Sequence, residues 1–392
     1  NSKNQKRHIN SITIKGYEKF PKSFLKHYLK IKPNQTFDLT TIKKKADQLN
    51  NLRFANQIKS PEVLFTKDST TLYMYIEKSK SNMFDGFLGF GTNEETNKLD
   101  FNGYLNLSLV NNLNFGESFG LQYKSTQGNQ KLFQADVNMP YLFKTPIGFD
   151  LQLYIFKQDS SFTTVNQSIK LNYQINSKHK LFSGIKSSES NNLLNTATTS
   201  SISDYKSKFI TIAYQFSKPQ YYNFLFPVNA TLFLETGFGN RKTSETTEKQ
   251  TQLNLDAFKI FNFNQKNSVY LRINGSSLLS DSYFENELSR FGGINSIRGF
   301  NENSILATSY AFLNTEYRLL LSPTIYIHSI IDIASFENKI TNTKEKLFAY
   351  GFGFGILSKA GLLKLNFANG KTSNQKFKFS NSQIHLSLTA SF

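Results

Sequence analysis

Residues 383–392 read QIHLSLTASF, and the alternation within them decides the fold. Ile384, Leu386, Leu388, Ala390 and Phe392 share one face, while His385, Ser387, Thr389 and Ser391 share the other. A period of two belongs to a β-strand, whose successive side chains point to opposite faces. The same pattern runs back through the chain. In YLNLSLV, residues 104–110, Leu105, Leu107 and Leu109 oppose Asn106 and Ser108. In VYLRING, residues 269–275, Val269, Leu271 and Ile273 oppose Tyr270, Arg272 and Asn274. From Met83 onward helical periodicity is absent. Turn clusters such as TQGNQ, NFNQKN and LSKAG separate the alternating runs.

These runs amount to about sixteen strands, many of them longer than the roughly 9–11 tilted residues that cross a bilayer. An even antiparallel count with unequal connections suits an outer-membrane barrel, and closure leaves no unpaired strand edge in lipid. A soluble sandwich would carry dense charge on its outward faces. Here the faces opposite the apolar ones are mainly Asn, Ser, Thr, Gln and Tyr. No period of about 20–50 residues repeats, which argues against a solenoid. The expected fold is an all-β transmembrane barrel of about 16 antiparallel strands over residues 81–392.

Composition agrees. The chain of 392 residues has 38 Phe, 19 Tyr, no Trp and no Cys, so disulfide and thiolate chemistry are excluded. Its mean hydropathy of −0.41 suits a barrel, because half of each strand faces a polar lumen. No run of about 18 apolar residues offers a transmembrane helix. The N-terminal NSKNQKRHIN lacks the apolar core of a secretory signal, so the protein is either cytosolic or begins after a removed signal or domain.

Residues 1–80 follow a different plan. HINSITIKGYEKFP reads as a strand, and KSFLKHYLKI sets Phe24, Leu25, Tyr28 and Leu29 on one helical face. Asp38 suits the N-cap of a second helix, LTTIKKKADQLNNL, with Ile42, Ala46 and Leu49 at helical spacing. EVLFT and TTLYMYIEK follow as two strands. The order β-α-α-β-β describes a small α+β domain. It holds 17 of the 46 basic residues and 6 of the 28 acidic ones, which is +11 of the chain's +18 net charge. Such a surface suits nucleic acid, anionic lipid or acidic clients, or is simply solvated. The Lys43, Lys44 and Lys45 cluster could touch anionic lipid or an acidic partner, with a solvated helix face as the plainer account.

One connection breaks the barrel pattern. Residues 278–303 join two expected strands and contain RFGGINSIRGF at 290–300. Loops this long are usually functional or disordered. Phe284, Phe291, Ile294, Ile297 and Phe300 favour burial, and Gly292, Gly293 and Gly299 permit tight backbone. The loop is therefore expected to fold into the lumen, carrying Arg298 with it. A buried guanidinium needs a carboxylate. Glu316 and Asp332 are the candidates, and alternation turns Asp332, between Ile331 and Ile333, away from lipid. A bidentate Arg298–Asp332 pair would lock the loop to the wall.

GGINSIRGF resembles the (V/L/I)RGF/Y signature of the BamA-type barrel superfamily. That superfamily includes BamA, TamA, Sam50-like and Toc75-like barrels and two-partner secretion transporters. IIDIA at 330–334 is similar to its following acidic motif, and TEYRLLL at 315–321 to its glutamate-containing twelfth strand. GFGFGILSKAGLLKLNFA at 351–368 resembles its Gly-rich penultimate hairpin, and residues 1–80 look like one POTRA domain. The resemblance implies a bacterial outer-membrane barrel with the POTRA domain in the periplasm. It implies assembly or translocation of unfolded outer-membrane or secreted polypeptides, in contact with outer-membrane lipid and with accessory lipoproteins or a fused passenger. It also implies a seam between the first and last barrel strands that opens. Gly86, Gly89 and Gly91 on one side and Leu388 and Phe392 on the other are the candidate gate residues. The alternative is the pore of a dedicated secretion system or patatin-type autotransporter exporting one passenger. A single POTRA-like unit favours that alternative, although no G-x-S-x-G elbow is present.

Enzymatic readings find little support. His8, His27, His179, His328 and His385 lack metal-ligand spacing, so no metal is expected. GFGFG at 351–355 lacks a following helix and a GK[ST], so no nucleotide is expected. No catalytic residue, no cofactor and no nucleic-acid partner are assigned.

Overall fold

The computed structural model describes residues 7–92, 99–126, 130–194, 201–220, 223, 225–358, 361–373, 375 and 382–391. Two sheets organise them. The N-terminal sheet comprises β1 (Ser11–Gly16), β2 (Ala55–Phe65) and β3 (Thr70–Lys78). The central β3 runs parallel to β1 and antiparallel to β2. Helix α1 (Leu39–Ala46) begins where Asp38 Oδ1 accepts the Thr40 N–H at 3.1 Å, satisfying one of the orphan donors of its first turn. A 3-10 turn at Asp47–Asn51 prolongs it. The earlier segment is shorter than its periodicity predicts: a single π-type turn, Phe24–Tyr28, stands in place of a regular helix. Lys30 takes a left-handed φ of 54° and ends it. Phe24, Leu25 and Leu29 still enter the core, beside Ile42, Leu49, Leu72, Met74 and Ile76.

The second sheet closes into a barrel of sixteen antiparallel strands. Its first eight are β4 (Met83–Thr92), β5 (Leu99–Val110), β6 (Ser118–Thr126), β7 (Gln130–Met139), β8 (Ile147–Gln158), β9 (Phe162–Gln174), β10 (His179–Asn192) and β11 (Tyr205–Pro219). Then come β12 (Val228–Lys242), β13 (Thr247–Asn262) and β14 (Asn267–Leu279). A long connection, residues 280–308, contains a short hairpin of β15 (Ser289–Phe291) and β16 (Ile305–Ala307). The wall resumes with β17 (Ser309–Ser322), β18 (Ile325–Asn338), β19 (Thr343–Ser358), β20 (Gly361–Thr372) and β21 (Ser382–Ser391), which meets β4.

Alternation explains the wall. Along β11, Phe209, Thr211 and Ala213 are buried, and Ile210 and Ile212 point outward. Along β18, Ile331 and Ile333 are exposed on the outer face while Asp332 is fully buried. The outer apolar side chains therefore form a belt, and the polar ones line the lumen.

The N-terminal domain sits against one end of the barrel. The Tyr17 hydroxyl donates to Asn114 Oδ1 at 2.5 Å and accepts from Asn111 Nδ2 at 2.8 Å, on the turn between β5 and β6. On the next turn at this end, the Tyr141 ring lies 4.9 Å from that of Phe24, and His27 Nε2 donates to the Lys144 carbonyl at 2.8 Å. With strands alternating in direction, the 280–308 connection leaves from the opposite end.

Candidate functional site

Residues 280–308 turn back into the lumen instead of extending outward. Their content explains it: Phe291 and Ile297 are buried with Ala307, Phe312, Ala334, Leu347 and Ala349 in one apolar cluster, and Phe300 packs on its margin. The short β15–β16 hairpin, absent from the sequence expectation, pairs the backbone that such burial would otherwise orphan.

Arg298 lies at the tip and is 4 % exposed. Its Nε donates to Asp332 Oδ2 at 2.8 Å and its Nη2 to Asp332 Oδ1 at 2.6 Å, a bidentate fork. The backbone N–H of the same residue adds a third bond to Asp332 Oδ2 at 3.1 Å. Nη1 reaches Glu316 Oε1 at 2.5 Å. Glu316 is shared: its Oε2 accepts from Arg318 Nε at 2.7 Å. The Arg318 guanidinium lies 4.2 Å from the Phe226 ring centre and 4.1 Å from that of Tyr270. Two guanidinium groups thus meet two carboxylates in a lumen wall, and neither sign is left in excess.

Gly299 follows at φ +80°, a conformation that costs other residues about 1–2 kcal/mol. Space is a second constraint. A Cβ on Gly299 would lie 2.5 Å from the Gly370 nitrogen, and one on Gly370 would lie 2.5 Å from the Gly299 oxygen and from the Phe300 ring. The tip therefore needs two glycines, one on the loop and one on β20. Gly292 and Gly293 also take positive φ, at +118° and +96°.

Further contacts tie the loop around the lumen. Arg272 on β14 donates to the Asn295 carbonyl at 2.8 Å, and Asn314 Nδ2 on β17 donates to the Ser296 carbonyl at 2.7 Å. Gln383 on β21 donates to Asn301 Oδ1 at 3.0 Å, and Lys124 on β6 pairs with Glu302 at 2.9 Å. A second buried anchor lies nearer the loop's start. Arg241 on β12, 1 % exposed, ion-pairs with Glu248 and Glu287, and its guanidinium lies 4.1 Å from the Phe284 ring centre. Asn286 Nδ2 donates to Ser190 Oγ and to the Ser203 carbonyl, both at 2.8 Å.

The seam is the other candidate. Strand β21 pairs with β4 at two positions, Ala390 with Phe84 and Ser391 with Met83. The shortest of the other fifteen ladders has eight. Both pairs lie beside the N-terminal domain. Above them, residues 85–92 of β4 have no partner on β21 among the described residues. Gly86, Gly89 and Gly91 instead face β5, opposite Leu105, Asn102 and Asp100. A Cβ on Gly86 would lie 2.8 Å from the Tyr104 carbonyl, so this glycine serves close approach to β5. Leu388 is in register with Leu363 of β20, and Phe392 lies outside the described residues.

Arg318, Arg241 with Glu287, Asn286 and Gly370 are absent from the sequence-based set. Arg318 was within reach, since it stands two residues from Glu316 and so shares its face. Arg241 has one near partner, Glu248 opposite it across the β12–β13 hairpin, but its loop partner Glu287 lies 46 residues away, and Asn286 meets Ser190 across 96 residues, so neither link to the loop has a local signal. Among the described residues no group of three or more His, Asp or Glu is placed to hold a metal ion.

The POTRA family model, described as surface antigen variable number repeat, matches residues 7–79. The whole chain superposes on BamA from Haemophilus ducreyi lacking POTRA domains 1–3 with a TM-score of 0.61 at 13% identity, covering 99% of this chain and 85% of that one. The fold is that of a BamA-type barrel with a POTRA-like domain. CdiB from Acinetobacter baumannii matches with a TM-score of 0.64 at 15% identity, over 98% of this chain and 74% of that one. CdiB from Escherichia coli matches at 0.63 and 14%, over 99% and 77%. A search of curated protein sequences finds no match.

Proposed function

We propose that the chain is an outer-membrane pore that assembles or translocates polypeptides, its POTRA-like domain in the periplasm and its seam the site of opening. The observation that carries this is the two-pair seam. A backbone N–H or C=O left unpaired in hydrocarbon costs several kcal/mol. Strand edges over residues 85–92 of β4 and 383–389 of β21 are therefore poised to accept a partner. An incoming client strand supplies one through main-chain hydrogen bonds, which tolerate any sequence. The N-terminal sheet has β1 and β2 as its edges, and the same mode of recognition operates there on an unfolded client.

On this reading Arg298 with Asp332 and Glu316 holds the loop across the lumen, and the work is mechanical, with no bond made or broken. The test exploits the absence of cysteine in the chain. Phe84→Cys with Ala390→Cys places a thiol pair across the seam at a registered position. Cells carrying this variant under oxidising conditions should lose outer-membrane proteins as a group if the pore serves general assembly. They should lose one exported polypeptide if it serves dedicated export, and reduction should restore either. A crosslinked barrel that supports normal outer-membrane content and normal export overturns the proposal.

A further inference from the structure

The junction between the N-terminal domain and the barrel carries two grooves that neither the loop nor the seam uses. One, of ≈680 Å³, lies between Phe20–Lys26 and the turns at 114–115 and 139–144. The other, of ≈390 Å³, lies between Lys26–Gln35, Lys45 and the end of β9. Their chemistry is lopsided. Lys19, Lys22, Lys26 and Lys144 line the first, Lys30, Lys32 and Lys45 the second, and Glu18 is the single carboxylate lining either. Among the described residues none of these lysines forms an ion pair. Lys45 Nζ turns to the Lys30 carbonyl at 2.6 Å, and burial together with the Lys30 and Lys32 charges lowers its pKa from the ordinary lysine value.

Apolar side chains sit beside this charge, in solvent. Phe143 is 93 % exposed, on a backbone of φ 50° followed by Lys144 at 60°. Two consecutive left-handed non-glycine residues are strained, and strain concentrates where a segment has work to do. Phe115 is exposed on the neighbouring turn, and Ile147, Leu171 and Tyr173 are exposed on β8 and β9 directly above. Those strand residues belong to the outer apolar belt. The grooves therefore lie where that belt ends and the N-terminal domain begins.

We propose that this junction binds anionic phospholipid of the leaflet facing the N-terminal domain, with headgroup phosphates among Lys22, Lys26 and Lys144 and Phe143 inserted between acyl chains. The inference rests only on the barrel standing in a bilayer, not on what passes through it. Charge complementarity and continuity with the belt select the occupant: basic side chains at a membrane surface attract anionic headgroups, and aromatic rings anchor at the interface. Bound lipid would hold the N-terminal domain square to the membrane, under the β7–β8 turn that His27 already grips.

The test uses the full chain in nanodiscs of equal parts phosphatidylethanolamine and phosphatidylglycerol, with retained lipid read by native mass spectrometry. Phosphatidylglycerol should be retained at least about threefold over phosphatidylethanolamine. Lys22→Glu/Lys26→Glu/Lys144→Glu should bring that ratio to about 1 while heat-modifiable migration, the sign of a closed barrel, is unchanged. Phe143→Ser, at a fully accessible tip, should lower retention of both lipids. Equal retention by the unmodified chain overturns the proposal. So does an unchanged ratio in the triple variant, and if that variant also loses activity the grooves pass to an acidic polypeptide.

Discussion

Replacing Arg298 with alanine should free the inward loop, and the size of the effect follows from what is left behind. The substitution removes two side-chain bonds to Asp332 and one to Glu316. Glu316 keeps Arg318, so its loss is small. Asp332 is fully buried and, among the described residues, keeps only the bond from the backbone N–H of residue 298, which alanine retains. An orphaned buried charge of this kind costs about 3–5 kcal/mol. At 1.4 kcal/mol per factor of ten, the docked loop loses on the order of 10²–10³ in its equilibrium against an undocked one.

Limited proteolysis within 280–308, on protein in membranes, reads that equilibrium when reclosing outpaces cleavage. Cleavage of Arg298→Ala should rise by on the order of a hundredfold, whereas Lys43→Ala on the N-terminal domain should leave it unchanged. Arg298→Lys should fall between, because an ammonium keeps the charge and loses the fork. The double variant Arg298→Ala/Asp332→Ala should be less labile than Arg298→Ala alone, since the orphaned carboxylate is gone. If the two substitutions are instead additive, or Arg298→Ala changes cleavage by less than about threefold, the buried pair is not what holds the loop.

Two further outcomes follow from neighbouring geometry. Gly299→Ala should destabilise the tip by at least the about 1–2 kcal/mol of its φ, and Gly370→Ala should act in the same direction, both read as increased cleavage near 299. Arg241→Ala should expose the loop's start and leave its tip protected, seen as cleavage confined to 280–290, because Arg298 keeps its own partners.

Most of the fold is legible because each barrel strand announces itself locally. A strand with lipid on one face and lumen on the other must alternate, and β18 shows this in the five residues from Ile330 to Ala334. The inward loop is legible for a related reason, as its phenylalanines and glycines have no business in solvent. Asp332 was reachable from Arg298 because an ionic residue between two outward isoleucines can only face inward. Contacts made by closure are a different matter. Gly370 is found only when the loop is seated on β20, and Arg241 meets Glu287 only once β12 and the loop share a lumen. The π-type turn at Phe24–Tyr28 shows the limit at short range: apolar spacing selected the buried residues but not the pitch of the backbone, which the left-handed Lys30 cuts short.

The loop's contacts fall on both sides of the seam, and their unequal strength decides how it moves if the seam parts. On the β14–β21 side lie Arg272, Asn314, the Arg298 cluster, the Gly299–Gly370 contact and Gln383. On the other side, beyond β4 and β5, the tip meets Lys124 of β6 through Glu302, with side chains 29% and 25% exposed, while nearer the loop's ends Arg290 reaches Gln158 of β8 and Asn286 reaches Ser190 of β10. A partly exposed pair of this kind is worth about 0–1 kcal/mol, against about 3–5 for breaking the buried cluster. Opening beside β4 should therefore break Lys124–Glu302 and leave the tip, Arg298 to Glu302, riding on the β17–β21 wall. Lys124→Ala should accordingly leave protease protection of the loop within about twofold of the unmodified chain while Arg298→Ala abolishes it. If Lys124→Ala frees the loop as fully as Arg298→Ala does, the tip is held equally by both sides, and the loop clamps the seam instead of following one wall.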